Sequence, residues 1–494
     1  MEGGDSPDPD RERLEGRGFM SRARFVTLLF LLAMAVRLPM LYFLRDVYLT
    51  GGITTSLGLV ARNLLEGRGL NETTGPEEIL RLYDVQIGEG RLRDIQDFPD
   101  PPDQPTRPLI QRMPGYPALL ALVWSLTGSY RYLPIQILQI ALSCLLPLLL
   151  YGAGRRTFGE ASGRVAGTLG AMNFAEARLA VVPLYDWWIL FTVGVVLWLL
   201  SLARERGFPL RDFALLGAVV AVGVYFKSTL IVAPFLMALF LIPQIGLRRS
   251  AIGALLLAGL PLLALVPWTL RNQRIFHRTI LTNTFLWPSI WEGFGEVDNP
   301  FGARLDDRLT YLAALSEQRD LVYASPAYDD FFRARVLSVH EDHPGFVISL
   351  WLGRLWRGLL SPANSWGLGG ADRPEMSYAV FRIETGGSPL DYLRHRPGVA
   401  LVKLLQRIWD PVLLCLTLLT VAMDRNRWRE FLPLFSLPLA FLAVTIPIHL
   451  EGRYLLPGGL VLILFASVPI AAWLLPGRPG EATLGSDLPT PESL

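Results

Sequence analysis

Residues 430–475 read EFLPLFSLPLAFLAVTIPIHLEGRYLLPGGLVLILFASVPIAAWLL, two apolar runs parted by Glu451, Gly452, Arg453 and Tyr454. The runs 430–449 and 454–475 are each long enough to cross a bilayer, at about 20 residues per span. The charges between them therefore fall at a membrane surface, where they are candidates for a lipid headgroup site.

The same alternation recurs upstream. Apolar runs at 25–44, 134–153, 163–182, 187–203, 213–226, 229–245, 250–268 and 408–423 bring the expected number of spans to about ten. Of 494 residues, 51% are hydrophobic and 18% charged, and the mean hydropathy is +0.35. An ordinary soluble domain does not have this composition. The expected class is an all-α polytopic membrane protein. A net charge of +2 with dispersed basic residues gives no footprint for nucleic acid. Both cysteines, Cys144 and Cys415, lie inside apolar runs, so a disulfide framework or zinc site has no support. Arginine supplies nearly all the positive charge, as a bias toward arginine codons would produce. The only two lysines are Lys227 and Lys403, which makes Lys227 stand out.

Orientation follows from the short loops. Arg155, Arg156 and Arg164, then Arg204, Arg206 and Arg211, then Arg248 and Arg249, then Arg425, Arg427 and Arg429 share one side with the arginines of the N-terminal segment. The positive-inside rule makes that side the cytoplasm. Residues 1–24 read as a disordered cytoplasmic tail and 476–494 as a cytoplasmic C-terminal tail, with a membrane domain over 25–475. The run Phe25–Leu44 is too long for a signal-peptide core and is expected to be retained. Two long connections, 45–133 and 269–407, then lie outside the cytoplasm, with short outer turns at Asp186, Lys227 and Glu451–Tyr454. Within the long connections, 118–126 and 346–360 suit helices lying in the membrane interface.

An outer membrane face suggests which residues carry chemistry. Arginine holds phosphate through bidentate, charge-assisted hydrogen bonds and keeps its proton when partly desolvated. Arg271 and Arg453 stand at the outer ends of spans, Lys227 ends another, and Arg112 precedes the first interfacial helix. The four together suggest an anion site, although arginines at span ends also snorkel to headgroups. A carboxylate is the complementary need, because a general base activates an attacking hydroxyl or amine. The outer acids are Asp46, Asp84, Asp94, Asp97, Asp103, Asp186, Asp298 and Glu451. Asp46 and Asp186 are held nearest the membrane and are the catalytic candidates. Arg37, within the first span, is expensive to expose to lipid and should face protein or the outer interface. No Gly-rich phosphate loop or metal-spaced His/Cys cluster is present. A divalent ion recruited by outer carboxylates stays open.

Five motifs, taken in order, carry a resemblance. They are Ala61-Arg62-Asn63-Leu64-Leu65-Glu66-Gly67-Arg68-Gly69-Leu70, Arg112-Met113-Pro114-Gly115-Tyr116-Pro117, Arg155-Arg156-Thr157-Phe158-Gly159, Pro267-Trp268-Thr269-Leu270-Arg271-Asn272 and Gly452-Arg453-Tyr454-Leu455-Leu456-Pro457. Their order and spacing resemble the bacterial branch of the protein mannosyltransferase and aminoarabinose transferase group, membrane glycosyltransferases of the GT-C fold and glycosyltransferase family 39-like. The resemblance runs from Phe25 to Leu475. It implies a polyprenyl-phosphate-linked sugar donor, transfer on the outer face of a bacterial inner membrane, and an acceptor that is a glycan, lipid or protein.

The resemblance also implies roles. Arg453, Arg271, Lys227 and Arg112 correspond to the basic cluster that holds the lipid phosphate, with Tyr454 beside it. The family's first-loop aspartate would fall at Ile53, but Thr50–Leu57 contains no acid and Leu57 stands where an aromatic is common. Asp46 lies seven residues upstream of that position. Asp186 sits where the family often has a glutamate. In-line displacement at the anomeric carbon is the implied chemistry. Two alternatives remain at this point: a protein of the same fold that binds lipid-linked sugar or a partner without catalysis, and a lipid or solute transporter.

Overall fold

The computed structural model describes residues 20–45, 52–73, 106–360, 381–382 and 385–474. Asp46, Asp84, Asp94, Asp97 and Asp103 lie outside the described residues, as do most of the N-terminal tail and all of the C-terminal one.

In lipid every backbone polar group must find an internal partner, so apolar runs of this length become helices. Helix α1 (Arg22–Leu44) is followed by α2 (Gly52–Leu65) and by a two-stranded antiparallel ribbon, β1 (Asn71–Thr73) with β2 (Thr106–Pro108). Next come α3 (Gly115–Thr127), α4 (Leu133–Ser143), α5 (Leu146–Phe158), α6 (Glu160–Ala171), α7 (Phe174–Leu179), α8 (Tyr185–Glu205) and α9 (Leu210–Phe226). A 3-10 turn, Ser228–Val232, leads into α10 (Ala233–Ile245), then α11 (Leu247–Leu257) and α12 (Gly259–Phe276). A lobe of shorter helices follows, of α13 (Leu286–Phe294), α14 (Asp307–Glu317), α15 (Pro326–Asp342) and α16 (Pro344–Leu360). After α17 (Pro389–His395), the chain ends in α18 (Pro397–Met423), α19 (Trp428–Ile448) and α20 (Gly452–Leu474).

Among the described residues, seven helical segments are long and apolar enough to cross a membrane: Arg22–Leu44, Leu133–Phe158, Tyr185–Glu205, Ser228–Ile245, Leu247–Phe276, Arg425–Ile448 and Gly452–Leu474. The chain is a multi-pass, all-α membrane protein. The ten apolar runs of the sequence differ from these seven for local reasons. The run 163–182 breaks into α6 and α7, because the Asn173 side chain accepts from the Glu176 N–H and caps a new helix. The run 213–226 forms α9, only 17 residues long. The run 408–423 is the second half of the 27-residue α18, whose first half mixes apolar residues with Lys403, Gln406 and Arg407. Both segments read as interfacial are helical, within α3 and α16.

The bundle core is apolar and tightly packed, joining α5, α8, α9, α19 and α20 through residues such as Leu146, Trp187, Val220, Leu437 and Leu464. Buried within it is a polar network. Arg37 is fully enclosed and bonds Ser143 Oγ at 2.5 Å, the Ala171 carbonyl at 2.9 Å and the Glu176 carboxylate. Glu176 also accepts from Ser143 Oγ at 2.6 Å and from the Trp187 indole at 3.0 Å. Arg37 thus faces protein, and its charge is neutralised at the break between α6 and α7.

The two ends of the bundle differ. At one end, arginines close the short loops: Arg204 and Arg427 both reach Glu430, Arg156 pairs with Glu205 at 3.1 Å, and Arg249 bonds the Gly207 carbonyl at 2.6 Å. The other end carries the ribbon and the lobe. That lobe has an aromatic core of its own, including Trp291, Phe294, Tyr311, Tyr328 and Phe332.

Candidate functional site

Where the lobe meets the bundle lies a cavity of about 390 Å³. It is built from helix ends. Asp186 stands in the first turn of α8, Lys227 follows the last residue of α9, Arg112 leads into α3, and Glu451 precedes α20, whose first turn holds Arg453 and Tyr454. Gly115, in the Arg112–Pro117 motif, lets two of these ends approach. A Cβ there would meet the Tyr225 carbonyl oxygen at 2.5 Å, so glycine sets the start of α3 against the end of α9. Arg112 and Lys227 consequently line one cavity.

The basic side of the cavity is cross-braced. Lys227 Nζ donates to Asp186 Oδ1 at 2.6 Å and stands 3.5 Å from the centroid of the Tyr454 ring. That ring face attracts the ammonium through its quadrupole. Arg453 pairs with Glu451, lies 3.9 Å from Asp186 Oδ2, and packs over Tyr454 with its guanidinium 5.3 Å from the ring centroid. Arg112 bonds Ser56 Oγ at 3.0 Å and has no acidic partner among the described residues. His449 Nε2 lies 3.5 Å from Glu451 Oε1. Burial works to raise the Glu451 carboxyl, but the His449 hydrogen bond and the Arg453 charge outweigh it and hold it at about 2. A depressed acid stabilises the fold above its unfolded value near 4.5 and loses that contribution as pH falls through 2. The Glu451–Arg453 pair is therefore intact at neutral pH.

Of the residues singled out in the sequence, Arg112, Asp186, Lys227, Arg453 and Tyr454 come together on this cavity. Arg271 does not line it. Its guanidinium bonds the Leu109 carbonyl at 2.6 Å and the Leu70 carbonyl at 3.2 Å, and packs on Trp268. These contacts fasten the base of the β1–β2 ribbon, two residues before Gln111 and Arg112 enter the cavity. The Ala61–Leu70 motif serves the same ribbon: Asn63 bonds the Asn71 carbonyl at 2.7 Å and accepts from Arg68 at 2.8 Å. Asp298 is exposed and lies off the cavity.

The sequence reading missed an acidic side. Glu292 of α13, with Asp306 and Asp307 at the start of α14, lines the same cavity as the cations. Burial, followed by the neighbouring Asp307, pushes the Glu292 carboxyl well above the usual range. A sequence signal did exist: Asp306 caps α14, accepting from the Leu309 N–H at 2.7 Å.

A clamp holds the lobe to the 446–453 turn. Arg354, fully buried, bonds the carbonyls of Ile446 at 2.8 Å and Pro447 at 3.2 Å. Glu296 accepts from the Leu450 N–H at 2.8 Å and from Arg357 at 2.8 Å. Gly293 makes this approach feasible, since a Cβ there would collide with the Ile448 carbonyl oxygen and lie 2.6 Å from Arg354 Nη2. Gly293→Ala is expected to cost about 1–3 kcal/mol, the usual range for overpacking, and to shift the turn carrying Arg453. Thermal unfolding alongside lipid-phosphate affinity would check this; an unchanged variant would mean the seam is slack.

A helical, multi-pass membrane protein with a charged cavity at one end of its bundle is the class that fold and site define. Residues 104–270 match the family described as dolichyl-phosphate-mannose-protein mannosyltransferase, in agreement with the resemblance carried by the motifs. No curated protein matches the chain. Among solved structures, the chain is similar to the oligosaccharyltransferase AglB of Archaeoglobus fulgidus in complex with an inhibitory peptide and a dolichol-phosphate, at 10% identity and a TM-score of 0.47, covering 91% of this chain and 50% of that one. The apo form of the Archaeoglobus fulgidus oligosaccharyltransferase gives 12% identity and a TM-score of 0.48, with 91% and 50% covered. ArnT of Cupriavidus metallidurans bound to undecaprenyl phosphate gives 14% identity and a TM-score of 0.37, with 91% and 78% covered. The chain spans about half the length of the oligosaccharyltransferases it matches.

Proposed function

We propose that this protein is a membrane glycosyltransferase that moves a sugar from a polyprenyl-phosphate-linked donor to a glycan, lipid or protein acceptor. Transfer takes place on the extracytoplasmic face of a bacterial inner membrane, with both termini cytoplasmic. One observation carries this reading: Arg112, Lys227 and Arg453, three cations from separate helix ends, line a single cavity with Tyr454. A cavity of about 390 Å³ lies within the usual range for small-ligand sites, about 300–1,000 Å³. The family match over residues 104–270 supports the same chemistry.

In this reading the donor phosphate binds among Arg112, Lys227 and Arg453. The acceptor oxygen or nitrogen attacks the anomeric carbon in line, the bond from that carbon to the phosphate oxygen breaks, and polyprenyl phosphate leaves. Negative charge grows on the leaving oxygen, and fixed cations aimed at that position lower the barrier. Asp186 holds Lys227 in place, which makes it a positioning residue. Arg271 supports Arg112 through the ribbon.

Lipid binding is the direct test. The purified protein in native mass spectrometry is expected to retain one undecaprenyl phosphate, and Lys227→Ala to weaken retention about tenfold or more, the scale of a lost hydrogen bond to a charged group. No binding by the wild type would sink the proposal.

A further inference from the structure

Glu292 is 5% exposed, its Oε1 has no hydrogen-bond partner among the described residues, and it lines the cavity. A buried carboxyl with an unsatisfied oxygen costs stability, so its presence facing a cavity calls for a role. Two features of the backbone set its partner. Asp307 is the first residue of α14, where the positive end of the helix dipole favours an anion. Glu292 stands in the last turn of the nine-residue α13, where the dipole disfavours one. Glu292 and Asp307 line the same cavity, Asp307 lies close enough to act on the Glu292 carboxyl, and Tyr323 Oη lies 3.5 Å from Asp307 Oδ2. Burial, followed by the neighbouring Asp307, pushes the Glu292 carboxyl well above the usual range, so Glu292 holds its proton. Asp306 is already committed to capping α14.

Resting on the transferase reading above, we infer that Asp307 is the base that takes the acceptor's proton, and that Glu292 positions it by donating a hydrogen bond from its protonated carboxyl. The acid half of the cavity is thus the acceptor subsite. It fits a hydroxyl or a neutral amine, in the same cavity as the cations that take the donor phosphate. As the acceptor O–H or N–H attacks the anomeric carbon, its proton passes to Asp307, the new bond to the sugar forms, and the bond to phosphate breaks. The electron pair of that bond leaves on the polyprenyl phosphate. Such a base stands in for the aspartate that the chain lacks at Ile53, and it comes from the second outer connection rather than the first.

The test uses the full-length protein in detergent, a panel of undecaprenyl-phosphate-linked hexoses as donor probes, and water as the simplest hydroxyl nucleophile. Undecaprenyl phosphate binding is measured in parallel by native mass spectrometry. The wild type is expected to release free sugar slowly. Asp307→Asn should reduce release at least 100-fold while binding the lipid phosphate as the wild type does. Glu292→Gln, which still offers a donor to Asp307, should keep release within about tenfold, whereas Glu292→Ala should lose it. Undiminished release by Asp307→Asn overturns the assignment. So does lipid binding by the wild type without release of sugar from any donor. Equal release by Glu292→Gln and Glu292→Ala would remove Glu292 from the scheme. A wild type that does not bind undecaprenyl phosphate instead refutes the transferase reading itself.

Discussion

Arg453→Ala is expected to lower sugar transfer by about 100- to 1,000-fold while the protein still folds, the range seen when one preorganised donor to a developing anion is removed. Three observations set the size of this effect. Arg453 lines the cavity with Lys227 and Arg112, so it is one of three cations available to a leaving phosphate. It is paired with Glu451 and lies 3.9 Å from Asp186, so its loss leaves two acids facing that phosphate. It also packs on Tyr454, the ring that holds Lys227. Consumption of undecaprenyl-phosphate-linked sugar, together with a thermal unfolding curve, measures both halves of the expectation. Full activity in a folded variant would rule out a phosphate-binding role for Arg453.

The second large effect concerns folding. Glu176→Ala is expected to destabilise the protein by about 3–5 kcal/mol, because it leaves a buried arginine without its counter-charge. Arg37 and Glu176 are both fully enclosed, and Ser143 and Trp187 lose an acceptor at the same time. Replacing both charged partners together, as in Arg37→Met with Glu176→Gln, should recover much of that loss, since the cost lies in the orphaned charge rather than the missing attraction. Thermal unfolding of single and double variants in one detergent separates the two. A mild single variant would mean that water or lipid headgroups reach Arg37.

The contrast between site and fold shows where a sequence is informative. Arg112, Lys227 and Arg453 were legible because a charge at the end of an apolar run stands out against its surroundings. Glu292 and Asp307 were not, since acids in a polar connection have no such contrast, and the two meet only when α13 and α14 fold into the lobe. Arg271 has the same position at a span end as the phosphate candidates, yet its partners are the carbonyls of Leu109 and Leu70. Nothing in sequence position distinguishes an arginine that binds a ligand from one that fastens a ribbon. The break at Asn173 was in principle readable: an asparagine three residues before a glutamate is a helix-start pattern, here concealed within an apolar stretch. The expected base Asp46 lies outside the described residues.

The setting of Lys227 gives the cavity a chemical address. With only two lysines in 494 residues, an amine-selective reagent finds two ε-amino groups, and one of them is walled in by Asp186, Tyr454 and Tyr185. Acylation at that one position therefore reports whether the cavity is open or occupied, without a radiolabel or a known acceptor.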